Sequence, residues 1–103
     1  MMRGHLEGLL LATLVRGPAH GYALGRRLAD ESHGELDIPE GSLYPALQAL
    51  ERQGLVSSSW QIVDGRRRRL YELTRTGRRA ASDAAASWRR FAGAVDAVMG
   101  TVG

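Results

Sequence analysis

Apolar residues recur at intervals of three and four positions in the first third of the chain, and this spacing predicts two helices. The first covers about residues 4–16 and ends at Gly17-Pro18, because proline cannot continue a helix. The second covers about residues 21–32 and ends at His33-Gly34. Its inner side is predicted to consist of Tyr22, Leu24 and Leu28.

The third segment, residues 40–53, has the clearest helical pattern. Leu43, Leu47 and Leu50 fall within a narrow arc, and Gly54 is expected to cap the C-terminal end. The opposite arc is small and polar, and consists of Gly41, Tyr44, Pro45, Gln48, Ala49 and Arg52. Taken alone, such a face is more often an ordinary solvated surface, but it is also suited to lying in a groove.

Two β-prone segments follow, residues 55–63 and 67–73, on either side of Asp64-Gly65. Both residues of this pair tolerate positive φ, so the segments predict a β-hairpin. The run of four arginines at residues 66–69 interrupts the hairpin pattern next to its turn.

A last helix is predicted over residues 75–99, with Thr74 as its N-cap. Its apolar residues alternate in steps of three and four: Ala81, Ala84, Trp88, Phe91, Val95 and Val98. Such a stripe is typical of a coiled-coil seam and predicts a homodimer joined through Ala84, Trp88, Phe91, Val95 and Val98. The alternative is a helix packed back on its own domain. The dimer is favoured because three helices and a hairpin leave little core for so long a helix to cover.

Charge is distributed very unevenly along the 103 residues. Residues 1–64 carry five arginines against eight acids, whereas residues 65–90 carry nine arginines against two acids, and the net charge of +3 hides this polarity. A basic segment of this kind indicates a polyanionic partner such as DNA. Since successive strand side chains point to opposite faces, Arg66, Arg67 and Arg68 near the turn are candidates for phosphate or minor-groove contact. Arg69 lies deeper and is expected to pair with an acid or to lie along the sheet.

Several classes of protein are excluded or disfavoured. The chain has no cysteine, and His5, His20 and His33 fall on separate elements, so neither disulfides nor a zinc site is expected. No signal peptide, membrane span, catalytic motif or cofactor motif is recognised, which favours a cytoplasmic protein that is not an enzyme.

The order of helix, helix, helix and hairpin is that of a winged helix-turn-helix. In this architecture the third helix enters the major groove of DNA and the hairpin, or wing, rests on the neighbouring backbone. We therefore expect a mainly α (α+β) fold, with a DNA-binding domain over residues 1–74 and a dimerisation helix over residues 75–103.

Five stretches of the chain carry a family resemblance, over about residues 8–80. They are Ala19-His20-Gly21-Tyr22, Gly34-Glu35-Leu36, Gly41-Ser42-Leu43-Tyr44-Pro45-Ala46-Leu47, Leu50-Glu51-Arg52-Gln53-Gly54-Leu55-Val56, and residues 68–74. Together they resemble the PadR family of transcriptional regulators, in its short branch with a single C-terminal helix. The resemblance implies a homodimeric repressor that often releases DNA when a small planar aromatic molecule binds.

The resemblance also assigns roles to residues. It places Ser42 and Tyr44 at the start of the recognition helix, where hydroxyls hold phosphates, and it implies that Trp88 stacks on a flat ligand at the dimer centre. Gln48, one turn further along the exposed face, is the expected base reader, because a carboxamide can pair bidentately with adenine. Pro39 stands where the family often has a polar cap. The alternative for Trp88 is that it only fills the dimer seam.

These features are consistent with two functions. The first is a ligand-responsive repressor that binds a palindromic operator as a homodimer. The second is a winged-helix adaptor that binds proteins without sequence-specific DNA binding. The arginine run favours the first, and salt distinguishes them, because phosphate contacts weaken steeply as salt rises.

Overall fold

The computed structural model describes residues 2–103, and its elements follow the predicted order. They are α1 (Met2–Leu14), β1 (Ala19–His20), α2 (Gly21–Glu31), α3 (Glu40–Arg52), β2 (Val56–Val63), β3 (Arg66–Leu73) and α4 (Arg75–Met99). The expected mainly helical α+β fold is confirmed. The two-residue strand β1 was not predicted; it pairs with β3, and the antiparallel sheet has the order β1-β3-β2.

The core lies where α1, α2 and α3 meet the base of the sheet. Its most deeply buried side chains include Leu10, Leu24, Leu47, Leu50 and Val56. One expectation for α2 was wrong. Tyr22 is 56% exposed rather than on the inner side, because Gly21, Leu24 and Leu28 form the buried face of this helix and Tyr22 projects away from it.

The ends of the elements follow the local signals of the sequence. Gly54 has a φ of 76°, and the amide of Leu55 donates to the carbonyl of Leu50 at 3.0 Å, which closes α3 in a Schellman motif. Thr74 caps α4 as predicted, since its hydroxyl accepts a hydrogen bond from the amide of Gly77 at 3.1 Å. Pro39 precedes α3 without a side-chain cap, also as predicted.

The hairpin of β2 and β3, called the wing below, turns at Asp64-Gly65. Both residues have positive φ, 51° and 76°, as a type I′ turn requires. The expectation that the arginine run interrupts the hairpin was wrong. The strand β3 begins at Arg66, and all four arginines are paired with β2, because the two-residue turn already accounts for the chain reversal.

Helix α4 packs on its own domain only over its first half. Ala81 is buried, and Ala84 is half-buried against α1, where a Cβ added to Gly8 would lie 3.6 Å from the Cβ of Ala84. Ala84, which is expected in a dimer seam, therefore also packs within its own chain. Beyond it the helix leaves the domain, and the molecule measures 55 × 28 × 21 Å along its principal axes.

Candidate nucleic-acid interface

The outer face of α3 is polar and uninterrupted by large apolar side chains. Gly41, Ser42, Pro45, Gln48 and Arg52 are exposed there. One residue assigned to this face was placed wrongly, since Ala49 is 6% exposed and belongs to the core. Tyr44 is half-buried because its ring turns toward the start of α2. Gln48 and Ser42 therefore remain accessible from the solvent side of α3.

Tyr44 packs on the first residue of α2. A Cβ added to Gly21 would lie 2.9 Å from the hydroxyl of Tyr44 and 2.5 Å from its Cε1. Only a residue without a side chain allows the phenol to come so close. The hydroxyl of Tyr44 is thereby held at the N-terminal end of α2, where helix amide groups favour an anion.

An aromatic side chain that was not predicted as a site residue lies on the wing. Trp60 is 54% exposed, and the guanidinium carbons of Arg67 and Arg69 lie 4.4 and 4.9 Å from the centre of its ring. Cation–π contacts at this distance orient an arginine that would otherwise be free to rotate. The signal was present in the sequence, because the Asp64-Gly65 turn sets a register in which Trp60 is opposite Arg69.

Arg69 differs from the other three arginines of the run. Its guanidinium lies 3.8 Å from a carboxylate oxygen of Glu51 on α3, and its Nε donates to the Oγ of Ser58 at 2.7 Å. The expectation that Arg69 pairs with an acid is confirmed. Among the side chains that the structure describes, no acid forms an ion pair with Arg66, Arg67 or Arg68.

The wing and the starts of α2 and α3 enclose an open cleft. Its lining is aromatic and basic, and includes His20, Tyr22, Tyr44, Trp60, Arg67 and Arg68. At its floor Tyr71 is buried, and this burial raises the pKa of its hydroxyl above the ordinary value of 10.0, against the opposing effect of Arg69. The cleft presents unpaired guanidinium groups beside the exposed face of α3, an arrangement that suits a phosphate backbone.

The distal half of α4 carries a second exposed patch. Trp88, Phe91, Val95 and Val98 are 54%, 55%, 38% and 69% exposed. The indole of Trp88 meets the ring of His5 edge-on at 5.9 Å and that of Phe91 at 5.7 Å. The structure thus places four of the five expected dimerisation residues together on one exposed side of the helix, whereas Ala84, one turn before Trp88, is half-buried against α1.

Two further observations concern a membrane span and a metal site. Between residues 2 and 103, no helix combines the length and the apolar character needed to cross a membrane. Over the same part of the chain, no group of three His, Asp or Glu side chains is placed to hold a metal ion.

Comparison with known proteins agrees with this geometry. The model of the transcriptional regulator PadR-like family matches residues 10–83. The crystal structure of a PadR family transcriptional regulator from Eggerthella lenta is 36% identical and has a TM-score of 0.80, covering 94% of this chain and 83% of that one. A PadR-like transcriptional regulator from Bacillus cereus is 27% identical with a TM-score of 0.81, covering 96% and 95%.

A relative from Mycobacterium tuberculosis, Transcriptional regulator Rv3488, is 44% identical over 64 residues. The match covers 62% of this chain and 57% of that relative.

Proposed function

Because the chain belongs to the PadR-like family of transcriptional regulators and is a DNA-binding regulator rather than an enzyme, we propose that it acts as a repressor. In this proposal a homodimer binds a palindromic operator and leaves it when a small planar aromatic molecule binds. We place this regulator in the cytoplasm.

The observation that carries the proposal is the arrangement of α3 beside the wing. The exposed side chain of Gln48 would read a base in the major groove, while Ser42 and Tyr44 would hold phosphates at the groove edge. Arg66, Arg67 and Arg68 would contact the backbone or minor groove next to it. In this division of roles the wing supplies affinity and α3 supplies the choice of sequence.

The exposed patch on α4 supports the homodimer. A single chain leaves Trp88, Phe91, Val95 and Val98 in water on one side of a helix that extends beyond its own domain. Pairing two such helices would bury this apolar surface and stabilise a domain whose own core is small. Two-fold symmetry would then present two recognition helices about one turn of DNA apart, on the order of 34 Å.

The ligand part of the proposal rests on Trp88. Its indole is half exposed on the dimer face, so a two-fold axis nearby would bring two indoles together. Offset stacking of a flat ring between them would contribute about 0.5–1.5 kcal/mol for each pair beyond burial. Binding there would shift the two α4 helices and, through them, the spacing of the recognition helices.

Footprinting on the promoter region of the protein's own gene tests the repressor. We expect a protected palindrome whose affinity falls steeply as salt rises. A folded protein that protects no site at moderate salt would contradict the proposal. Retention of a protein partner at high salt would instead support the adaptor function, since an apolar interface does not depend on released counterions.

The homodimer has its own test. Val95→Asp places a charge in the apolar patch, and we expect the mass measured by light scattering to fall to that of one chain. Gly93→Asp is the matched control, because Gly93 lies on the opposite face of α4 with no atom within 4 Å of an added Cβ. An unchanged mass for Val95→Asp would exclude this face as the seam.

A further inference from the structure

Three side chains tie the recognition helix to both strands of the wing. The Oγ of Ser58 on β2 donates to Oε2 of Glu51 on α3 at 2.7 Å and accepts from the Nε of Arg69 on β3 at the same distance. A terminal nitrogen of Arg69 lies 3.8 Å from the same carboxylate oxygen of Glu51. We call this group the Glu51–Ser58–Arg69 cluster.

The cluster lies where the wing leaves the body of the protein. On β2, Val56 is buried, Ser58 is half-buried, and the residues from Ser59 to Ile62 are exposed. On β3, Tyr71 is the last residue toward the turn that is buried in the core. The apolar core therefore holds only the base of the hairpin, and the contacts of the cluster act at the point where a two-stranded ribbon would otherwise bend freely.

The same arginine continues the chain of contacts toward the DNA-facing side. The guanidinium carbons of Arg69 and Arg67 lie 4.9 and 4.4 Å from the centre of the Trp60 ring. A change in the position of Arg69 is thereby passed to Trp60 and to the unpaired guanidinium of Arg67. Glu51 lies three residues after Gln48 on α3, so the chain of contacts runs from the helix that carries the expected base reader to the expected phosphate contact on the wing.

From this geometry we infer that Glu51, Ser58 and Arg69 are positioning residues. They fix the angle between the wing and α3, and so set the distance between the groups that read bases and the groups that hold phosphates. They touch no DNA themselves. The carboxylate of Glu51 also forms an ion pair with Arg69. Arg66, Arg67 and Arg68 therefore remain as the wing's phosphate contacts. The inference deepens the proposed function and rests on it.

Breaking the cluster is therefore expected to raise the affinity for duplex DNA of any sequence and to lower the preference for the operator. A freed Arg69 adds a mobile cation to the surface, which strengthens binding to any duplex. A loosened wing no longer fits the register that an operator demands, which weakens the preference for that operator. A residue that acted only through its charge would change both affinities by the same factor.

The test compares Glu51→Gln with Glu72→Gln. Both remove one negative charge from the same region, but Glu72 is exposed on the opposite face of β3 from Arg69. The probes are the duplex that the wild-type protein selects from a random library and a scrambled duplex of the same composition. For Glu51→Gln we expect the ratio of the two affinities to fall about tenfold, within the range for a lost hydrogen bond to a charged group.

In the same titrations, the logarithm of the affinity of Glu51→Gln for the scrambled duplex is plotted against the logarithm of the salt concentration. The slope of this plot should become steeper by about one, as for one added phosphate contact. Glu72→Gln should leave the affinity ratio at the wild-type value. If both variants raise the two affinities equally, Glu51 acts only as a charge and the inference is overturned.

Ser58→Ala provides a second variant that changes no charge, and it should lower the affinity ratio in the same direction. A readout without DNA uses the Trp88→Phe background, where Trp60 is the only tryptophan left of the two in the chain. Acrylamide should quench Trp60 more strongly in Glu51→Gln and Ser58→Ala than in Glu72→Gln. Equal quenching in all three would overturn the inference. A wild-type protein that selects no duplex would overturn the proposed function instead, and the quenching would still decide the positioning role.

Discussion

The phenol ring of Tyr44 packs directly on the backbone of Gly21, and this contact joins the start of α3 to the start of α2. A Cβ on Gly21 would lie 2.5 Å from Cε1 of Tyr44, closer than side-chain atoms can approach. The position of a proposed phosphate-binding hydroxyl thus depends on a residue that has no side chain.

Gly21→Ala is expected to push the Tyr44 ring outward. Because the far end of a half-buried side chain can move, the cost in unfolding free energy should be modest, about 1 kcal/mol by urea denaturation. Affinity for DNA should fall more clearly, since the hydroxyl leaves the end of α2. Gly25→Ala on the same helix is the control. Its added Cβ meets Leu43 at an ordinary 3.6 Å, and it should bind DNA as the wild type does. Equal affinities for both variants would contradict the role of Tyr44.

Gly77→Ala should be far more damaging. The added Cβ would overlap the carbonyl oxygen of Leu55, and that oxygen accepts a hydrogen bond from the amide of Thr74, so neither group can move alone. We expect a loss of about 3 kcal/mol or more in unfolding free energy. Gly93→Ala, where no atom lies within 4 Å, should instead raise stability by up to about 1 kcal/mol. A stable Gly77→Ala protein would show that α4 can shift away from the base of the wing.

The order of the elements could be predicted because each is encoded locally. Leu43, Leu47 and Leu50 define α3, Thr74 begins α4, and Asp64-Gly65 fixes the register of the wing. Other features depend on which elements pack together. Tyr22 has the apolar character of a core residue but projects outward, and Ala49 looks suited to a groove but is covered by its neighbours. Periodicity gives a face, and tertiary packing decides how wide the buried part of that face is.

The same distinction applies to the candidate site. The separation of Arg69 from Arg66, Arg67 and Arg68 followed from its greater distance from the turn. Its partners did not, because Glu51 and Ser58 meet Arg69 only after the wing folds against α3. Ala84 and Trp88 show the same limit on α4. Both belong to one apolar stripe in the sequence, but Ala84 is half-buried against α1 and Trp88 is 54% exposed.

Tyr71 gives the protein a specific sensitivity to alkaline pH. Burial raises the pKa of Tyr71 in the folded state, so the unfolded chain loses this proton first. Stability from this group is complete below the ordinary tyrosine pKa of 10.0 and falls as pH rises from there through the higher folded-state pKa. Tyr71→Phe should flatten the decline in melting temperature above about pH 10. All basic residues are arginine, so no lysine titrates in this range. Tyr22→Phe, which removes an exposed phenol, is the control variant.

Arg66→Ala should weaken binding to an operator and to random duplex DNA by the same factor. Arg66 is the first residue of β3, has no acid partner among the described side chains, and would contact phosphate rather than a base. The slope of the logarithm of affinity against the logarithm of salt concentration should become shallower by about one. Arg16→Ala removes the same charge from an ion pair with Glu31 at the end of α1 and should change binding little. A loss confined to the operator would mean that the wing reads sequence.

Trp88→Ala should abolish the response to a planar aromatic ligand. A melting-shift screen of planar drugs and phenolic acids on the wild-type protein comes first, and any compound that raises the melting temperature is repeated on the variant. Trp60→Ala is the matched control, because both indoles are 54% exposed but Trp60 lies on the wing. The shift should vanish with Trp88→Ala and persist with Trp60→Ala, while light scattering reports whether either variant still forms a dimer. A shift that survives in a dimeric Trp88→Ala protein would place the ligand elsewhere and leave Trp88 as a seam residue.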